Sequence, residues 1–206
     1  NMDELTTLFT KSQEVLGGKI DFVLHAIGMS NNIRKNIAYP ELNYEFYHKT
    51  LDVSALSLHR MLNVAYKMDA ISEWGSVVAL SYIAAQKTFP FYTDMAEAKA
   101  MLESIVRNFG YHYGTYRKVR VNSVSQSPTN TTAGMGVKGM ANFFDLSQKN
   151  SPLGNASAEA CADYCITLFS DYTKMVTMQN LFHDGGYSYT GVTDELLKVF
   201  AGSKEQ

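Results

Sequence analysis

The chain has little of what marks several large protein classes. Of its 206 residues only 2 are cysteine, Cys161 and Cys165, placed i,i+4 on an expected helix. No further ligand-type residues stand at metal or redox-motif spacing beside them. Buried free thiols in a reducing cytosol are therefore expected, rather than a disulfide or a zinc site. His59 likewise lacks a histidine or carboxylate partner at metal spacing, so no metal is expected. No apolar run approaches the ~20 residues that span a bilayer, and no signal-peptide pattern opens the chain. No membrane association and a cytoplasmic location follow as expectations. Charge of one sign is scarce too: 18 Lys+Arg against 20 Asp+Glu give a net −2, with a pI near 6.2. That balance supplies no electrostatic attraction to nucleic acid or to an anionic membrane. Internal repeats and low-complexity segments are absent, and so is a glycine-rich dinucleotide fingerprint following a first strand.

What is present suits an α/β protein. The length is that of one domain, expected to run over 1–206, and 46% hydrophobic residues are ample for a core. Met2 to Leu16 sets Leu5, Leu8, Phe9, Val15 and Leu16 at amphipathic helical spacing and stops at Gly17-Gly18. Ile20 to Ile27 is a mostly apolar run between Gly18 and Gly28, the pattern of a strand covered on both faces by helices. Asn31 to Tyr47 is polar and aromatic-rich with no clear period, and a connection is expected there. Leu51 to Tyr66 repeats Leu51, Ala55, Leu58, Leu62 and Ala65 as a helix. Trp74-Gly75 leads into a central strand, and the next helix is expected to reach about Asn108 and stop at Gly110. Val119 to Val124 is a strand, Met140 to Gln148 a short helix, and Ala158 to Ser170 a helix capped by Ser157. Val176 to Phe182 is the last strand, with a frayed tail beyond Lys198. This alternation predicts a doubly wound parallel sheet with helices on both faces and a ligand site at the strands' C-terminal ends. Because the chain opens on a helix, earlier strands of that sheet are expected to be missing from it.

The stretch from Val77 to Ala100 carries the chemistry. An apolar run ends in Ser81-Tyr82, and beyond a loop with Pro90 a helix carries Tyr92 and Lys99. At about 3.6 residues per turn their separation is roughly two turns, which puts both on one helix face. A lysine ammonium beside a tyrosine favours the phenolate, so an acid site is expected here. With 13 tyrosines in the chain, spacing alone does not single this pair out.

The order of the residues does. A strand ending in Ser-Tyr, a second tyrosine ten residues later and a lysine seven beyond it resemble the active-site segment of enoyl-acyl-carrier-protein reductases. These form a divergent branch of the short-chain dehydrogenase/reductase family, most of whose members use Tyr-x3-Lys; here the residue four after Tyr92 is Ala96. The resemblance continues through His25-Ala26-Ile27-Gly28 (family His-Ser-Ile-Gly), Asp52 to Ser57, Val119 to Val124 and Ser125 to Thr131, and ends in His183-Asp184-Gly185-Gly186-Tyr187.

It implies a Rossmann-like fold, incomplete at the amino terminus, and hydride transfer from NADH to the trans-2 double bond of enoyl thioesters on acyl carrier protein. NADPH is not distinguished. By resemblance Tyr92, Tyr82 and Lys99 are catalytic. The cofactor would meet Ala26, Ile27, Gly28, Leu80, Ser81, Lys99, Pro128, Thr129 and Thr131. The substrate would meet Tyr82, Tyr92, Met95, Ala133 and Phe143. Residues 126–150 would form a lid loop and helix, and the subunits a homotetramer. The competing readings are a related reductase acting on a carbonyl, against which Tyr-x6-Lys counts, and a non-catalytic fragment of this fold.

Overall fold

The computed structural model describes residues 1–129 and 140–202. The first helix, α1 (Met2–Leu16), starts on a reciprocal cap: the Asn1 side chain accepts from Glu4 N–H at 3.0 Å while the Glu4 side chain returns to the chain start. Gly17, at φ 73°, ends it in the left-handed region that glycine enters without strain. Next come β1 (Ile20–His25), a one-turn α2 (Asn31–Arg34), α3 (Tyr44–Leu51), α4 (Ser57–Lys67) and β2 (Ile71–Ser81). The rest are α5 (Thr93–Arg117), β3 (Arg120–Gln126), α6 (Met140–Asn150), α7 (Ala158–Phe169), β4 (Asn180–His183) and α8 (Asp194–Gly202).

All strand pairs are parallel, in the order β1-β2-β3-β4. Leu24 lies beside Val78, Leu80 beside Val124, and Ser125 beside Phe182. Alternation along the strands splits the core. Val77, Ala79 and Val121 pack with Phe9 of α1, Leu58 and Leu62 of α4, and Leu102 and Val106 of α5. Val78 and Val124 point the other way, onto Cys161, Cys165 and Leu168 of α7. Helices thus cover both faces. Strand order advances in one direction throughout, yet α7 crosses on the opposite face from α4 and α5, so the β3–β4 crossover has the opposite hand to the first two. Among the described residues no helix is long and apolar enough to cross a membrane.

The structure departs from the sequence reading in several places. The expected connection over Asn31 to Tyr47 holds α2, a 3-10 turn at Tyr39–Glu41 and the start of α3, because Ser30 and Asn43 each cap a helix by accepting a backbone N–H. The helix expected from Leu51 begins at Tyr44 and runs through a π turn at Asp52–Leu56 before α4. Gly110 does not end α5, which continues to Arg117 and is closed by Lys118 at φ 56°. A Cβ at Gly110 would stand 2.6 Å from Met178 Cγ, so this glycine marks a close approach of two segments rather than a helix stop. The last strand is shorter than expected, and the tail forms α8 instead of fraying at Lys198. Strand β1 is not covered on both faces: Phe22 and Leu24 are 55% and 49% exposed, and α7 reaches this edge through the Phe22–Phe169 ring stack at 5.1 Å.

Candidate active site

The C-terminal ends of β2 and β3 open into a cavity of about 370 Å³. Strand β2 and its extension contribute Leu80, Ser81 and Tyr82, and the start of α5 contributes Phe91, Tyr92 and Lys99. The end of β3 adds Gln126, Ser127, Pro128 and Thr129; Phe143 comes from α6, and Ala158 and Cys161 from α7. The sequence-expected Leu80, Ser81, Tyr82, Tyr92, Lys99, Pro128, Thr129 and Phe143 therefore share one wall system.

Tyr92 is the residue at which α5 begins, and its ring lies 5.0 Å from that of Tyr82. Phe89 closes on Tyr82 at 5.5 Å, and Phe143 on Phe91 at 4.7 Å, which makes an apolar, aromatic side to the cavity. Burial in it pushes both phenols above their usual range. The expectation that Lys99 would favour the Tyr92 phenolate is not met: burial alone sets the direction of the shift, and the phenol is held in its neutral form. The Tyr82 hydroxyl is buried and has no hydrogen-bond partner among the described residues. Leaving such a group unpaired costs about 1–3 kcal/mol.

Lys99 Nζ donates to the Leu80 carbonyl at 2.7 Å, tying the first turns of α5 to the end of β2. Burial lowers its pKa to about 8, against an opposing pull from Glu103 one turn along the helix. Glu103 accepts from the Ser81 hydroxyl at 2.7 Å and from Gln86 Nε2 at 3.2 Å. Ser81 Oγ is thus committed to the scaffold. Asp94, fully buried, accepts from Ser30 Oγ at 2.6 Å, Asn32 Nδ2 at 2.7 Å and Thr93 Oγ1 at 3.1 Å. This clamp fixes the β1–α3 connection against the start of α5, where Thr93 holds a left-handed φ of 35°.

The π turn serves the same corner. Ser54 Oγ accepts from Met29 N–H at 2.9 Å, and Ser57 Oγ meets His25 Nε2 at 2.8 Å. An extra residue in the helix re-aims both hydroxyls at the loop after β1, a use of π turns that recurs at functional sites. Burial and the nearby Lys99 charge lower the His25 pKa to about 4, so the imidazole is neutral.

Gly28 follows on that loop. A Cβ there would lie 3.8 Å from Lys99 Nζ and 3.8 Å from Met95 Cε, so the missing side chain leaves one flank of Lys99 open. Ala26 and Ile27 are exposed and do not line the cavity, and Met95 is buried behind Gly28 rather than in the cavity wall. Thr131 and Ala133 lie outside the described residues. Asp184 accepts from Gly186 N–H and Ser188 N–H, each at 3.0 Å, and stays structural, as the Asp-Gly turn signal indicates.

Asp94 and Glu103 are absent from the sequence reading, where Gln126 appears only as part of the expected lid and Cys161 only as a buried free thiol. The i,i+4 spacing of Lys99 and Glu103 was an available signal. For Asp94 none exists, since its partners Ser30 and Asn32 are more than 60 positions away.

The sequence model described as Enoyl-(Acyl carrier protein) reductase matches residues 1–188. The chain belongs to this family. A curated relative, enoyl-[acyl-carrier-protein] reductase [NADH] 2 of Rhizobium meliloti, is 34% identical over 184 residues, covering 88% of this chain and 68% of that one. A second from the same organism is 33% identical and 64% covered. The chain thus spans about two thirds of the length of these relatives. Among solved structures, a FabI-NADH complex from Alistipes finegoldii superposes with a TM-score of 0.92 at 57% identity, covering 95% of this chain and 69% of that one. An enoyl-[acyl-carrier-protein] reductase (NADH) from Aquifex aeolicus gives 0.86 at 26% identity, covering 94% and 74%.

Proposed function

We propose that the protein reduces the trans-2 double bond of enoyl thioesters on acyl carrier protein with NADH, the last step of each fatty acid elongation cycle. The observation that carries this reading is the shared cavity lined by Tyr82, Tyr92 and Lys99 at the C-terminal ends of β2 and β3. When bound, NADH supplies a hydride to the β-carbon. Charge then develops on the thioester oxygen, and a neutral phenol held in a water-poor site is suited to stabilise it. Tyr92 takes that role, and Tyr82 is the second donor. A tyrosine kept neutral by burial can donate a hydrogen bond across the whole working pH range.

The residues present fit the nicotinamide-ribose end of the cofactor. Lys99 uses one of its three donors on Leu80 O and keeps two for vicinal hydroxyls on the flank that Gly28 leaves open. Ala26, Ile27 and Gly28 would meet the cofactor through their backbone, and Leu80, Ser81, Pro128 and Thr129 would border it. Tyr82, Tyr92 and Phe143 line the substrate side; Met95 and Ala133 toward the substrate, and Thr131 toward the cofactor, are assigned by resemblance alone. The lid assigned by resemblance to residues 126–150 of a single domain is supported at its described ends, where Gln126 to Thr129 and Phe143 stand in the cavity wall. The reading places the reaction in the cytoplasm. A homotetramer is consistent with exposed Tyr44 and Leu56 on the α3–α4 rod, the helix that family members pack against a partner subunit.

The test is loss of NADH absorbance on adding crotonyl or longer trans-2-enoyl thioesters, with a β-ketoacyl thioester as control. Oxidation with enoyl substrates only is expected. Oxidation with the β-ketoacyl thioester would instead identify a carbonyl reductase.

A further inference from the structure

One buried carboxylate beside the site has no cation to answer it. Asp94 is fully buried two residues after Tyr92, and no Lys, Arg or His pairs with it among the described residues. Neutral donors and its place in the chain hold it instead. It stands in the first turn of α5, where free N–H groups favour negative charge. Oδ1 accepts from the Ser30 and Thr93 hydroxyls, and Oδ2 from Asn32 Nδ2. Asn32, itself fully buried, passes the restraint on: its Oδ1 accepts at 3.1 Å from the N–H of Asn43, the residue that caps α3. Ser30 in turn caps α2 by accepting from Ile33 N–H at 3.0 Å. On its other side the same segment is held by Ser54, which accepts from Met29 N–H. Gly28, at the head of the segment, is the residue that leaves a flank of Lys99 open. One carboxylate thus ties the end of α5 that carries Tyr92 to the segment that borders Lys99.

We propose that Asp94 is a latch, a positioning residue that holds residues 28–32 against the Tyr92–Lys99 end of α5 and so keeps the cofactor flank of Lys99 in place. Its effect on NADH rests on the reductase reading; the latch itself does not. All three side chains around Asp94 donate to it, so the position requires two acceptor oxygens. With Asp94→Asn, whichever way the amide turned, an N–H2 would face a group that now donates. Combining Asp94→Asn with Asn32→Asp restores the match. The new amide at 94 donates to the new carboxylate at 32 and still accepts from Ser30 and Thr93. Asn43 N–H keeps its acceptor, the net charge is unchanged, and only the 3.3 Å bond from Asn32 Nδ2 to the Asn43 carbonyl is given up.

The experiment compares the parent protein, Asp94→Asn and the double exchange by amide hydrogen exchange over residues 28–43, NADH dissociation constant and melting temperature. In folded Asp94→Asn, exchange over 28–43 should quicken and the dissociation constant should rise about tenfold, the scale of one hydrogen bond to a charged group. The double exchange should bring both back toward the parental values. A carboxylate that served the fold alone would lower the melting temperature and leave the dissociation constant of the folded protein unmoved, and that result would overturn the proposal. So would a double exchange no better than Asp94→Asn alone. Should Asp94→Asn not fold, Ser30→Ala removes one donor and keeps the charge; parental exchange and NADH affinity there would also overturn the latch. A parent that neither binds nor oxidises NADH, with exchange quickened in Asp94→Asn and slowed again in the double exchange, would remove the reductase reading and leave the latch. Enoyl-dependent NADH oxidation by the parent, with exchange and affinity unchanged in Asp94→Asn, would do the reverse.

Discussion

His25 shows how a buried single residue links the site to stability. Its ring is 2% exposed, Nε2 meets Ser57 Oγ, and Nδ1 has no partner among the described residues. Desolvation first, and the Lys99 charge second, lower its folded pKa from 6.5 to about 4. The unfolded chain therefore takes up a proton below about pH 6.5 that the folded chain refuses until about pH 4. Stability from this group is present above that window and lost as pH falls through it. Between pH 7 and pH 5 the loss is roughly 2 kcal/mol. Urea unfolding at both pH values should show His25→Gln losing about that much less than the parent protein; equal losses would mean that the imidazole is not held neutral. The same desolvation explains why Tyr92 departs from the sequence expectation. Residue type and spacing reveal that a tyrosine and a lysine approach one another, but which of burial and charge dominates depends on Phe89, Phe91 and Phe143, and their packing is not written in that spacing.

At the scale of elements, α5 carries the argument because it delivers Tyr92 and Lys99 at one end and packs the sheet along its length. Its two glycines are not equivalent. A Cβ at Gly110 would press on Met178 Cγ at 2.6 Å, with the Met178 Cα and Val121 O both at 3.4 Å. At Gly114 the nearest atom would be Val119 O at 4.0 Å. Gly110→Ala should destabilise by roughly 1–3 kcal/mol through overpacking, and Gly114→Ala should stabilise by roughly 0.5–1 kcal/mol through helix propensity. Chemical denaturation of both variants checks this, and the same sign for the two would contradict the packing described. The pair also shows where sequence reading stops. A glycine after an apolar helical run reads as a helix end, and only the approach of the Met178 segment shows Gly110 to be interior. By contrast α1, β3 and α7 were legible because their signals are local: the stop at Gly17, the run Val119 to Val124, and the Ser157 cap. The π turn was not, since apolar residues keep helical spacing through it and its role is to turn Ser54 and Ser57 toward the loop after β1.

For the whole molecule, the sheet places β2 at its centre and gathers the ends of β2 and β3, the start of α5, and residues of α6 and α7 around one cavity. Tyr82, Tyr92 and Lys99 could be found from sequence because they lie within one short stretch and keep an order that a family shares. Asp94, Glu103 and Cys161, which anchor or line the same site, depend on partners brought in by the fold. The account's central claim is that the Tyr92 phenol stabilises charge developing on an enoyl thioester while Lys99 and the β2 end hold the cofactor. The most direct test is the turnover of Tyr92→Phe with an enoyl thioester, measured with its NADH dissociation constant. A fall in kcat of about 10²-fold, with NADH affinity changed less than about twofold, is predicted. Unchanged turnover would contradict the assignment of Tyr92 and, with it, the mechanism built on this cavity.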